Sequence, residues 1–274
     1  MKWNQAKNFM IGFFLVVNLF LAALINQETY SRTFGNEREA LIVALLAQNN
    51  VYLMDELPQA RDMRMLRLSG EGREIEELLA VFGMEGAEHI GGAGRDEFVA
   101  GDARLVVLDN DVFYISGIGQ SGMPTLEAAR AVADEFIAAF YPDFIFDPYS
   151  TREARRGGLR LFYRQEFQNY TIHSNFIELL IMGEDELVIE EVDMHFNEPL
   201  GFSYTMRDLV AVDEMLFTFV RFSPARAEPT NIVLMDLVYF HNSQASEYAE
   251  PFFRIFMENQ DVPFLIGGYT NVMQ

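Results

Sequence analysis

The chain has 274 residues, half of them apolar and 14% aromatic, which excludes a disordered protein. It has no cysteine, so disulfide scaffolds, thiol catalysis and thiolate metal sites are excluded as well. The formal net charge is −21 and is unevenly placed: Lys2 and Lys7 are the only lysines, the first acid is Glu28, and from there on 18 arginines face 41 acids. Such a domain is repelled by nucleic acid and by an anionic lipid surface.

In chain order, residues 1–8 read as a short cytoplasmic tail. Phe9 to Ile25, FMIGFFLVVNLFLAALI, is uncharged and is interrupted only by Gly12 and Asn18. A helix of that length rises about 25 Å, the short end of what crosses a hydrocarbon core. With the lysines ahead of it and the acids behind, the run is expected to be a single-pass transmembrane helix over 9–25, its N-terminus cytoplasmic and the bulk of the chain extracytoplasmic. A cleaved signal peptide is the alternative; the length of the run and the lack of an A-x-A site speak against it. Ile11, Leu15, Asn18, Ala22 and Ile25 follow a four-three-four-three spacing. They form one seam of the anchor, a candidate contact with a partner helix.

Residues 26–35 are a polar connector. Asn36 with Glu39 three residues on is a capping-box signal for a helix, EREALIVALLAQNN, whose apolar middle should be buried on most sides. Val51 to Pro58 is extended, Arg61 to Leu68 alternates as a half-buried strand, and Arg73 to Phe82 is a short helix stopped by Gly83. Glu88 to Gly94 is expected to be a Gly-rich loop. Strands follow over Glu97–Leu108 and Val112–Ser116, turning at Asp109-Asn110-Asp111. The Gly-rich stretch Gly117 to Pro124 reads as a boundary between a first lobe, 36–122, and a second, 123–274.

Thr125 then caps the clearest amphipathic helix, with Leu126, Ala129, Val132, Ala133, Phe136, Ile137 and Phe140 on one face. After Asp147-Pro148 come strands over Leu159–Phe167, Thr171–Met182 and Leu187–Phe196, with turns at Gln168-Asn169-Tyr170 and Gly183-Glu184-Asp185. Thr205 with Asp208 is expected to open a helix to about Leu216. Strands return over Asn231–Phe240, Phe252–Glu258 and Val262–Ile266. Short turns between successive strands demand antiparallel pairing. The expected fold is α+β: an anchor helix, then antiparallel sheets with helices packed on one face, in about two lobes.

Chemical motifs are weak. The histidines His89, His173, His195 and His241 form no H-E-x-x-H and no helical pair, and in strands His173 and His195 read as hydrogen-bonded structural residues. Gly201-Phe202-Ser203 lacks the closing glycine of a nucleophile elbow. Gly117-Ile118-Gly119-Gln120-Ser121-Gly122 matches G-x-G-x-x-G, yet Pro124 and Thr125 start the helix only after the last glycine, and the strands before it form a hairpin. A flexible loop is the better reading. Asp109-Asn110-Asp111 and Glu184-Asp185-Glu186 lack EF-hand spacing and read as solvated turns, as does the sequon Asn169-Tyr170-Thr171. No catalytic, cofactor-binding or metal-ligating set is expected.

Four stretches together resemble one family. MKWNQAKNFMIGFFLVVNLFLAALI resembles the N-terminus of the YycI proteins, with an early Trp, a Lys and an anchor containing Asn-Leu-Phe-Leu. LLAQNNVYLMDELP (45–58) is similar to the family's segment after the anchor. LRLFYRQEFQNYTIHSN (159–175) and LVYFHNSQASEYAEPFFRIFMENQDVPFLIGG (237–268) resemble its C-terminal strands. Residues 263–268 lack the usual Tyr-aromatic start, and 85–125 have no counterpart. The resemblance implies a single-pass accessory regulator that, with a YycH-like protein, associates with a sensor histidine kinase of WalK (YycG) type and tunes cell-wall metabolism in Gram-positive bacteria. It implies no cofactor. The alternative is an exported envelope enzyme or enzyme inhibitor.

Overall fold

The computed structural model describes residues 13–14, 17–18, 36–58, 62–70, 72–92, 94–155, 157–222, 228–242, 246–258, 260 and 262–273. Of the expected anchor, Phe13, Phe14, Val17 and Asn18 are described and are helical. Ile11, Leu15, Ala22 and Ile25 lie outside the described residues. No helix among the described residues is long and apolar enough to cross a membrane.

The fold is α+β. Its helices are Asn36–Gln48 (α1), Ile75–Val81 (α2), Leu126–Phe140 (α3) and Val212–Phe222 (α4). The strands are Val51–Leu53 (β1), Met63–Leu68 (β2), Glu88–His89 (β3), Asp96–Ala100 (β4), Ala103–Leu108 (β5), Asp111–Ile115 (β6), Phe144–Glu153 (β7), Leu159–Phe167 (β8), Tyr170–Met182 (β9), Val188–His195 (β10), Pro199–Arg207 (β11), Thr230–Phe240 (β12), Tyr248–Met257 (β13) and Phe264–Gly267 (β14). They join into one 14-stranded network whose main path runs β11-β2-β13-β12-β9-β10-β6-β5-β4-β3, with β7 and β8 continuing outward from β9.

Two large apolar cores lie along this network, with a smaller cluster of Met63, Leu66, Leu68, Ile172, Tyr239 and Ala249 and another of Val238, Phe252 and Leu265. The first gathers α2, α3 and β4 to β10 around Ala129, Ala133, Ile137, Leu161, Ile177, Leu179 and Val192, all essentially closed to solvent. Thr125 Oγ1 accepts from the Ala128 N–H and opens α3 as the sequence requires. The second joins Ile42, Leu46 and Val51 to α4, β12, β13 and β14 through Met215, Phe219, Ile232, Phe253 and Ile255. The cores therefore divide the chain differently from 36–122 and 123–274. The first takes residues between 75 and 196, and the second takes residues 42–57 together with 212–273.

Several elements differ from expectation, each for a local or a long-range reason. Glu88–His89 is not loop but a two-residue strand paired with Phe98 and Val99. The stretch 97–108 is a hairpin, because left-handed Gly101 (φ +63°) begins a two-residue turn between the paired Ala100 and Ala103. Residues 144–153 form an edge strand despite Pro148. The register with β8 jumps from Asp147↔Phe162 to Arg152↔Arg160, so Pro148 sits in a bulge where no ladder N–H is needed. Thr205 does not start a helix. Residues 199–207 pair with β2, and α4 begins only at Val212. Pairing is also not wholly antiparallel: β1 runs parallel to β12, and β9 touches β12 in parallel at Ile172↔Tyr239.

Three tyrosines, Tyr163 and Tyr239 buried and Tyr269 half-buried, tie elements together through their hydroxyls. Tyr239 Oη donates to the Arg64 carbonyl at 2.6 Å, Tyr269 Oη to the Met63 carbonyl at 2.8 Å, and Tyr163 Oη to Asp134 Oδ1 at 2.6 Å. Burial raises the pKa of all three, and pushes Tyr269 up to about 12 from 10.0 although Arg207 opposes the shift. A raised folded-state value means that the unfolded chain loses the proton first. The stabilisation is therefore intact below pH 10.0 and, for Tyr269, gone by about 12. We expect phenolate absorbance at 295 nm to lag behind free tyrosine and then rise together with loss of far-UV ellipticity. Titration of every tyrosine at the free value, with the fold intact, would contradict this.

Candidate functional site

A polar cleft lies between β6–β10 and the ends of β2, β12 and β13, and it begins with an irregularity in β9. The β8–β9 register passes from Arg164↔Phe176 to Gln165↔Ile172, so His173, Ser174 and Asn175 are extra residues on β9. At this point β9 exchanges β10 for β12 as its neighbour. A bulge bends the strand and frees backbone groups that need new partners. Asn175, fully buried, supplies them: its Nδ2 donates to Gln165 Oε1 and to the Asn197 carbonyl, each at 2.6 Å, and its Oδ1 accepts from the Asn197 N–H at 3.2 Å. An amide side chain carries donors and an acceptor, so one asparagine can complete both sides.

From Asn197 the hydrogen bonds lead outward. Its Oδ1 accepts from Asn110 Nδ2 at 2.7 Å, and its Nδ2 meets His195 Nε2 at 2.8 Å. His195 and Asp111 face each other across the β10–β6 ladder, with Nδ1 2.6 Å from Asp111 Oδ1. These contacts fit one tautomer: Nδ1–H donates to the carboxylate, and Nε2 accepts from the Asn197 amide. Both ring nitrogens of His195 are thus engaged.

The cleft outside this wall is about 420 Å³ and is lined by Leu68, Ser69, Gly70, Gly72, Asp109, Asn110, Asp111, His195, Asn197, His241, Ser246 and Glu247. Its opposite wall belongs to the ends of β2, β12 and β13. There His241 Nε2 lies 2.5 Å from the Ser246 carbonyl, which can only accept, so Nε2 carries the proton. Ser246 Oγ donates to the Tyr248 carbonyl at 3.1 Å and so serves the turn itself. Gly72 lets its segment lie on the Asp109–Asn110 turn, since a Cβ there would stand 2.6 Å from the Asp109 carbonyl oxygen.

A separate buried ion network braces the interface between β7–β8 and β12–β13. Arg254 holds Asp236 with two bonds, 2.9 and 2.6 Å, and approaches Asp147 Oδ2 at 3.4 Å, where Arg164 Nε also lies at 3.4 Å. Ser150 Oγ donates to the same oxygen at 2.9 Å. Burial pulls Arg164 down to about 10, which leaves it charged at neutral pH. His173 beside it is held well below its ordinary value by burial, with the Arg164 and Arg254 cations adding to the effect. It is structural, as expected, but not hydrogen-bonded through the ring: Nδ1 has no partner and the imidazole packs on Phe240.

The remaining motifs resolve as turns and pairs. Gly117 and Gly119 have positive φ, as a loop requires. The Gly119 N–H points to the Glu190 carboxylate at 3.2 Å, and Ser116 Oγ donates to it at 2.9 Å. An acid thus occupies the place where a dinucleotide motif would hold phosphate. His89 pairs with Asp96 at 2.8 Å on the surface, and Ser203 Oγ donates to the Thr205 carbonyl at 3.2 Å. Among the described residues no cluster of three or more His, Asp or Glu is disposed to hold a metal. Asn18 is exposed and helical. Sequence reading singled out neither Asn175 nor Asn197, because a buried asparagine in a strand looks like an exposed one until its partners, 22 residues apart, are brought together.

No protein-family profile matches the chain, and no curated protein matches it. Among solved structures, an uncharacterised protein from Eubacterium rectale ATCC 33656 superposes with a TM-score of 0.52 at 8% identity, covering 82% of this chain and 90% of that one. The C-terminal domain of Bacillus megaterium YpeB aligns with a TM-score of 0.40 at 6% identity, covering 75% of this chain and 98% of that one. The first likeness establishes a shared fold: this large, mainly antiparallel α+β arrangement is also the architecture of the Eubacterium rectale protein.

Proposed function

We propose that this chain is a membrane-anchored extracytoplasmic accessory protein of the YycI type. On this reading it regulates a sensor histidine kinase of WalK/YycG type, together with a YycH-like protein, by protein–protein contact rather than catalysis. The observation that carries the reading is the N-terminal pattern: two lysines, an uncharged run over 9–25, and a domain that is acidic from Glu28 onward. The resemblance of residues 1–25, 45–58, 159–175 and 237–268 to that family adds the partner. The test is co-purification of the tagged full-length chain with such a kinase from membranes, and kinase autophosphorylation with and without it. Neither association nor a change in autophosphorylation would reject the reading.

The anchor seam makes the proposal specific. Asn18 stands near the middle of the run, where an unpartnered amide in lipid is unfavourable. A neighbouring helix can satisfy it with a hydrogen bond worth about 0.5–2 kcal/mol. With Ile11, Leu15, Ala22 and Ile25 on the same seam, Asn18→Leu is expected to weaken co-purification in detergent by about tenfold or less, while Val16→Leu does not. Equal recovery of the partner with both variants would leave recognition to the outer domain.

A second reading, an exported envelope enzyme or enzyme inhibitor, has one observation in its favour: the His195–Asp111 pair at the cleft wall. His195→Gln separates the two readings. Loss of a wall-degrading activity favours the enzyme, and unchanged kinase regulation favours the accessory protein.

A further inference from the structure

We infer that His195, Asn197 and Asn110 form a pH-switched relay that carries the charge of the imidazole to the segment at Gly72. The inference is separate from the kinase reading and rests on the direction of the hydrogen bonds along this wall. Asp111 Oδ1, at 2.6 Å, fixes the proton of His195 on Nδ1, so Nε2 accepts from Asn197 Nδ2 at 2.8 Å. With its amide turned that way, Asn197 offers Oδ1 to Asn110, which donates through Nδ2 at 2.7 Å. Asn110 Oδ1 is then closed to solvent and has no partner, an arrangement that costs free energy. A Cβ on Gly72 would stand 3.3 Å from that oxygen and 2.6 Å from the Asp109 carbonyl oxygen, so two acceptors face the same segment.

A second proton on His195 reverses each link. Nε2–H then opposes the Asn197 Nδ2–H, donor against donor at 2.8 Å. Half a turn of the Asn197 amide presents Oδ1 to the imidazolium and Nδ2 to Asn110. Asn110 must turn in the same way, so that its Oδ1 accepts from Asn197 Nδ2. The orphaned oxygen thereby gains a partner. Asn110 Nδ2 takes its former place on the Gly72 side, where a donor now accompanies the Asp109 carbonyl. The reversal gives up the Asn197–Asn175 side-chain contact, long at 3.5 Å, and keeps the bond from the Asn197 N–H to Asn175.

Charged groups surround the imidazole on every side. Asp111 of β6 holds Nδ1, Asp193 stands two residues back on β10, and Glu178 of β9 is paired with Asp193 across the ladder. Arg160 neutralises Glu178, and Phe176 of β9 stacks on the ring with Arg164 of β8 on its own face. Asp109, His241 and Glu247 line the cleft beside it. These groups set the pH at which the relay turns; its direction comes from the hydrogen bonds.

NMR titration of the full-length chain in non-ionic detergent, selectively ¹⁵N-labelled at histidine, asparagine and glycine, tests this between about pH 8 and 5, where imidazoles change charge. The His195 ring, the side-chain amides of Asn197 and Asn110, and the Gly72 N–H should move with one midpoint. His195→Gln should abolish the movement of both amides and of Gly72. Asn110→Ala should lower the His195 midpoint by about one pH unit, because the oxygen that only the cationic state satisfies is gone. Amides that stay fixed while the ring titrates, or that still move in His195→Gln, would overturn the relay. So would an unchanged midpoint in Asn110→Ala, or a His195 ring that keeps one charge over the whole range.

Discussion

Arg254→Met should lower the stability of the folded domain by about 3–5 kcal/mol, a loss of roughly 10 °C in melting temperature for a domain of this size. Arg254 and Asp147 are each 5% exposed, so the substitution leaves Asp147 with a partner removed in a place that water barely reaches, and it leaves the half-buried Asp236 without its guanidinium. Asp236 loses both its bonds to the guanidinium, and Asp147 keeps Arg164, Ser150 and the Tyr149 N–H. Methionine retains most of the stem volume, so the loss reports charge rather than a cavity. Adding Asp236→Asn to Arg254→Met should recover part of the loss, because the carboxylate that lost both its bonds is then uncharged while Asp147 keeps Arg164. Thermal and urea melts of the two variants check this. A single variant within about 1 kcal/mol of the parent would show that the network is hydrated and weak.

Asn175→Ala is the second large effect, expected at about 2–4 kcal/mol. The side chain is fully buried and completes the bulge that lets β9 leave β10 for β12. Its removal strands the Asn197 N–H and carbonyl and the Gln165 amide oxygen, groups that bond to it at 3.2, 2.6 and 2.6 Å. Each buried polar group left without a partner costs about 1–3 kcal/mol, offset in part by water entering the gap. The variant should also loosen the His195–Asn197–Asn110 wall. Asn175→Asp sets a carboxylate against Gln165 Oε1 and the Asn197 carbonyl, which only accept, so it should cost at least as much as Asn175→Ala. Native stability in Asn175→Ala would show that water replaces the lost bonds at no cost.

The sequence by itself determined the elements whose signal is local. The capped, amphipathic α3 needs only Thr125 and an apolar stripe, and the β8–β9 hairpin needs only Gln168 and Asn169, both with positive φ in its two-residue turn. Composition determined the absence of thiol chemistry and the acidic character of everything after Glu28. Tertiary structure decided what depends on partners far along the chain. Thr205 and Asp208 have the spacing of a helix cap, but β2 offers 199–207 a ladder, and those hydrogen bonds outweigh a local preference of a few tenths of a kcal/mol per residue. Pro148 reads as a breaker until the β8 edge provides a bulge to hold it. The cleft was invisible for the same reason. Asn110, Asn175, Asn197 and His195 are ordinary polar residues in sequence, and only the pairing of β10 with β6 and with β9 brings their side chains within hydrogen-bonding reach.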